Sequence, residues 1–230
     1  MPKSSLSLVA LILFSAMVAT ANAAEVKAVT IGLIGDSTVA TTYGWGPGFS
    51  KKVTSDTKVL NFAKNGATLD SLSNKLDELL KQKPDYVLVQ FGHNDQKRYG
   101  TKEYGEKLKS YVDRIKAAGG KPVIVSSVTR RNFGPDGKIQ PRPAGDVLKE
   151  PLYDYAKKAG EVAKQEGVPF LDLYTISVAH HNKIGPAETA TYDFNETDKT
   201  HFSPKGTDAT AELVVTELKV VVPELAGHLQ

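Results

Sequence analysis

An α/β fold, with one parallel sheet covered by helices on both faces, is the class this sequence predicts. Three observations carry that expectation. Five short apolar runs, rich in β-branched residues, end in Gly, Asn, Asp or Ser. Segments with helical periodicity lie between them. The polar motifs follow the runs directly, where the functional residues of open parallel sheets collect.

The strands are expected at 29–34, 58–62, 86–91, 122–127 and 169–173. A helix is expected at 69–81, where Leu69, Leu72, Leu76, Leu79 and Leu80 mark one face. The segment 102–118 is amphipathic. The segment 146–166 also reads as helix, with Pro151 in its first turn or at a kink. The last helix is expected at 204–221, capped by Ser203 with Pro204 at its first position. With no internal repeat or long low-complexity linker, residues 24–230 read as one domain.

A hydrophobic fraction of 40% and a charged fraction of 24% suit a globular domain with a sizeable core. The formal charge of +3 does not suit a nucleic-acid binder. With no cysteine, disulfides, thiolate metal sites and a cysteine nucleophile are excluded. At the N-terminus, Lys3 precedes an apolar run at 6–18, and Ala21-Asn22-Ala23 forms a small-x-small cleavage site. Residues 1–23 therefore read as an export signal. The expected product is secreted or periplasmic, free of the membrane and monomeric.

Four motifs fall after the first four strands: Gly35-Asp36-Ser37, Asn65-Gly66, Gly92-His93-Asn94-Asp95 and Thr129-Arg130-Arg131. Ser37 at a strand end is either a nucleophile or a cap for the following turn. A serine nucleophile needs a base, and the sequence has five histidines. Of these, His201 has Asp198 three residues before it. That spacing lets the carboxylate hold Nδ1–H and leaves Nε2 free for a serine proton. The same spacing also suits an exposed Asp and His ahead of a helix. Oxyanion donors would be the N–H groups of Ser37 and Gly66 and the side-chain amide of Asn94. Taken singly, Gly66 and Asn94 are equally turn residues. Asp36 is expected to hydrogen-bond backbone in its turn. No zinc spacing, dinucleotide fingerprint or Walker A sequence occurs, so no metal or cofactor is expected.

The ordered set Ser37, Gly66, Asn94 and Asp198-x-x-His201 resembles the four motif blocks of the SGNH (GDSL-type) hydrolase superfamily. The resemblance implies a flavodoxin-like three-layer α/β/α fold and a metal-free serine esterase. Ser37, His201 and Asp198 would form its triad, and Ser37, Gly66 and Asn94 its oxyanion hole. Gly-Asp-Ser-Thr replaces the commoner Gly-Asp-Ser-Leu. With Gly44-Trp45-Gly46, Thr129 to Phe133 and the block at 198–203, it resembles the rhamnogalacturonan acetylesterases. The implied substrate is an acetylated pectic polysaccharide. Trp45 would then stack on a sugar face or pack in the core. Arg130 and Arg131 would grip a galacturonate carboxylate or stand as solvated loop residues. His93 would contact substrate or support its loop. The alternatives are an esterase on xylan acetate, a short-chain lipid ester or a thioester, and a non-catalytic carbohydrate-binding protein.

Overall fold

The computed structural model describes residues 28–142, 148 and 150–230. The export signal expected over 1–23 lies outside them. Each of the five apolar runs contributes a strand: β1 (Val29–Gly35), β2 (Thr57–Asn61), β3 (Tyr86–Gln90), β4 (Lys121–Val125) and β5 (Phe170–Leu171). Among them run α1 (Gly46–Ser50), α2 (Ser73–Leu80), α3 (Thr101–Ala117), α4 (Leu152–Glu166), α5 (Leu173–Ala190) and α6 (Pro204–Val221). The strands pair in parallel in the order β2-β1-β3-β4-β5. This is the flavodoxin-like order, with its switch point between β1 and β3.

Alternate strand residues feed two separate cores. Ile31, Leu33, Leu88, Val123 and Val125 pack on one face of the sheet. Ile34, Val87, Val89 and Ile124 pack on the other. That is the period-2 pattern of strands buried on both sides. Phe49 of α1, Leu173 of α5 and Val214 of α6 close the first core. Leu76 of α2, Leu108 of α3 and Val162 of α4 close the second. Full burial of each such side chain stabilises by about 1.5–3 kcal/mol. An exposed ion pair such as Lys51–Asp208 contributes about 0–1 kcal/mol. The two apolar cores therefore hold the sandwich together.

Several elements depart from the sequence expectation, for local reasons. Helix α2 starts at Ser73 rather than 69, because Thr68 and Ser71 bond each other's backbone and side chains in a turn. Leu69 and Leu72 are buried even so. Helix α4 starts at Leu152 behind an extended Pro151, and residue 146 lies outside the described residues. Strand β5 pairs only at Phe170 and Leu171, because Asp172 caps α5 by accepting from the Thr175 N–H. Helix α5 itself was not expected from the sequence. Its pattern is masked by the polar His180-His181-Asn182-Lys183 and by Gly185 and Pro186, where two helical stretches meet at a non-helical glycine.

Candidate active site

The site lies beyond the carboxyl ends of β2, β1 and β3, which are neighbours in the sheet. Strand β1 stops at Gly35, where a Cβ would meet the Gln90 carbonyl oxygen at 2.4 Å. Only glycine lets β1 and β3 approach so closely here. In the turn that follows, the N–H groups of Val39 and Ala40 both donate to the Asp36 carbonyl at 3.1 Å. The Asp36 carboxylate accepts from the Thr38 N–H at 2.9 Å and the Thr38 hydroxyl at 2.7 Å. Asp36 therefore caps this turn, and the Ser37 hydroxyl is left for another partner.

That partner is His201, whose Nε2 stands 2.8 Å from Ser37 Oγ. On the far side of the ring, Nδ1 lies 2.7 Å from Asp198 Oδ2. Asp198 Oδ1 accepts from the backbone N–H of Thr200 at 2.9 Å and of His201 at 3.0 Å. Partial burial opposes ionisation of Asp198. The two N–H groups and the imidazole outweigh it and hold the carboxyl below its usual range. The Asp198 N–H donates to the Asn195 side chain at 2.9 Å, which anchors the start of the turn. Ser37, His201 and Asp198 are thus brought together as a hydrogen-bonded chain.

Two of the expected oxyanion donors, Gly66 and Asn94, follow the strands that flank β1. Gly66 follows β2 in the left-handed region at φ 72°, with open space where a side chain would stand. Asn94 follows β3 and donates to the Ala67 carbonyl at 3.1 Å, which ties it to the Gly66 turn. Its amide has a second N–H to offer a ligand. The neighbouring Asp95 is fully buried and reinforces that tie. It accepts from the N–H groups of Leu69 at 3.0 Å and Gly92 at 2.9 Å, and from the Tyr99 hydroxyl. Burial pushes its carboxyl up to about 6.

His93 is buried beside Asp36, with Nδ1 3.6 Å from Asp36 Oδ2, just beyond hydrogen-bond range. Burial pushes its pKa below the ordinary value, which favours the neutral ring. Arg130 is half-buried and lies within electrostatic reach of His93 and Tyr174.

Two expectations are corrected. Trp45 is 0% exposed, so its ring has no face for a sugar. It packs in the first core and donates Nε1–H to Gln90 Oε1 at 2.8 Å. Gln90 in turn donates to the Thr38 hydroxyl, which closes a buried chain from Trp45 to the nucleophile turn. The polar end of the otherwise apolar strand Tyr86–Gln90 was the signal for this strut. Arg131 is also buried, and its guanidinium is committed within the protein. Nε donates to Asp193 at 2.5 Å and Nη2 to the His201 carbonyl at 2.5 Å. It braces the Asp198–His201 turn from behind and has no edge left for a substrate carboxylate.

Trp45→Phe tests the first correction. The variant keeps a ring but leaves Gln90 Oε1 without its donor, at a cost of about 1–3 kcal/mol. Thermal unfolding should fall accordingly, while KM for a polymeric substrate stays at the wild-type value. A raised KM with unchanged unfolding would return Trp45 to the substrate.

Comparison with known proteins places the chain. Residues 33–209 match the family model of the GDSL-like lipase/acylhydrolase family. Rhamnogalacturonan acetylesterase RhgT of Bacillus subtilis (strain 168) is 32% identical over 88% of this chain and 95% of its own length. The probable rhamnogalacturonan acetylesterase YesY of the same strain is 27% identical over 82% of this chain and 92% of its own. Among solved structures, the acetylxylan esterase Axe2 of Geobacillus stearothermophilus superposes with a TM-score of 0.64 at 19% identity. That superposition covers 84% of this chain and 94% of the other, and at this identity it shows a shared fold. With the family match spanning most of the chain, this protein belongs to the GDSL-like lipase/acylhydrolase family and is a carboxylic ester hydrolase.

Proposed function

We propose that this chain is an exported serine esterase that removes O-acetyl groups from pectic rhamnogalacturonan. The observation that carries the mechanism is the unbroken chain Ser37 Oγ–His201 Nε2–His201 Nδ1–Asp198 Oδ2, at 2.8 and 2.7 Å. His201 Nε2 takes the Ser37 proton as Oγ attacks the acetyl carbonyl carbon. The tetrahedral oxyanion is met by the N–H groups of Ser37 and Gly66 and by the Asn94 amide. Collapse breaks the ester bond, and the imidazolium gives its proton to the departing sugar oxygen. Water then attacks the acetyl-Ser37 carbonyl, with His201 again as base; the bond to Oγ breaks, His201 returns the proton to Ser37, and acetate leaves.

Asp198 holds the imidazole in the tautomer this cycle needs and stabilises its charged form. The substrate assignment is supported by the names of the two curated relatives, both rhamnogalacturonan acetylesterases. Arg130, in the loop that follows β4 and within electrostatic reach of His93, would meet a galacturonate carboxylate at the ester site. Export is supported by Lys3, the apolar run at 6–18 and Ala21-Asn22-Ala23.

Acetate release from acetylated rhamnogalacturonan, with acetylated xylan alongside, tests the substrate. Wild type should release acetate from the pectic polymer, and Ser37→Ala should not. Release from xylan alone would move the substrate, and release from neither would contradict the reading. Asn94→Ala should lower kcat by about 10²–10³ through loss of one oxyanion donor. Wild-type turnover in that variant would remove Asn94 from the hole.

A further inference from the structure

A concavity of about 680 Å³ is lined by Lys199 of the Asp198–His201 turn and by Arg131, which braces that turn. Its size falls within the range of small-molecule sites, roughly 300–1,000 Å³. The loop 131–142, drawn together by a bridge between Phe133 and Ile139, forms one wall. Pro186 near the end of α5 and Asp193 just beyond it form another, and Lys199, next to Asp198 in the chain, also lines the concavity. None of Ser37, Asp198 and His201 lines it.

The charge of this wall is unbalanced. Asp193 is a single buried carboxylate shared by two cations, Arg131 Nε at 2.5 Å and Lys199 Nζ at 2.7 Å. The Arg131 side chain is 0% exposed, and its charge is spent on Asp193. Lys199 is 34% exposed and Arg142 lines the same pocket, so the surplus positive charge is carried by these two side chains. Phe133 and Pro186 add apolar surface, and Asn132 and Gln140 add amides. Apolar walls beside these cations match a carboxylated sugar ring better than a phosphate, which has no apolar face.

The pocket and the triad turn are one piece of structure. Lys199 directly follows Asp198, its carbonyl accepts from the Arg131 N–H at 3.0 Å, and Arg131 also holds the His201 carbonyl. We propose that this pocket binds a uronate residue of the same polysaccharide chain whose acetyl ester lies at Ser37. Lys199 takes the carboxylate and Phe133 supports the ring face. This subsite rests on the pectic substrate proposed above and extends it from the ester to the neighbouring polymer.

The test is calorimetric titration with fully deacetylated rhamnogalacturonan oligosaccharides, which contain no ester to cleave, and with neutral xylo-oligosaccharides of equal length. Wild type should bind the acidic fragments with an affinity that falls as salt is added. Lys199→Gln leaves Asp193 neutralised by Arg131, so the fold is kept, and binding should weaken about tenfold. Lys199→Arg should restore it, and Phe133→Ala should weaken it. Equal affinity for acidic and neutral fragments, or unchanged binding in Lys199→Gln, would overturn the subsite. Binding that holds while acetylated rhamnogalacturonan is not hydrolysed would keep the subsite and overturn the pectic esterase reading alone.

Discussion

The hydrogen bond between His201 and Ser37 joins residues 164 positions apart in the chain, and the rest of the site is arranged to keep it. One partner hangs from the end of β1, beside the switch point of the sheet. The other sits on a turn just ahead of the last long helix. Ser203 caps α6 by accepting from the Gly206 N–H at 3.1 Å, and Pro204 opens it. Burial of Val214, Val215 and Leu218 then fixes α6 against the first core, with Phe49 of α1 in the same cluster. The reach of His201 toward Ser37 follows from that packing.

Both partners are also braced from beneath by buried polar groups. The Ser37 turn rests on Asp36, Thr38, Gln90 and Trp45, and the His201 turn on Arg131, Asp193 and Asn195. Such networks are costly when half satisfied, since a buried polar group without its partner loses about 1–3 kcal/mol. They add little net stability but restrict each turn to one position. A nucleophile and its base must be held within a few tenths of an ångström, so this rigidity serves catalysis more than folding. Partial exposure of His201 and Asp198 leaves the assembled chain open to a polymer from solvent.

Most of this architecture was legible from local chemistry. The apolar runs placed the first three strands to within one residue of their ends at Gly35, Asn61 and Gln90, and Ser203-Pro204 marked the start of α6 to the residue. The spacing of Asp198 and His201 was readable because a single turn sets their geometry. Long-range burial was not readable in the same way. Trp45 and Arg131 stand in motifs near the site, and residue type alone suggested substrate contacts. Their actual partners, Gln90 and Asp193, lie 45 and 62 residues away. Helix α5 was missed because Asp172 caps it from within an apparent strand, and because Gly185 and Pro186 interrupt its period.

The central claim is that Ser37 is the nucleophile activated by His201. Labelling with a serine-directed organophosphate, followed by peptide mass spectrometry, tests it directly. The account predicts one adduct per chain on the peptide containing Ser37, formed together with loss of esterase activity and strongly slowed in His201→Ala. Full esterase activity with Ser37 unlabelled, or labelling at another serine that tracks inactivation, would contradict it.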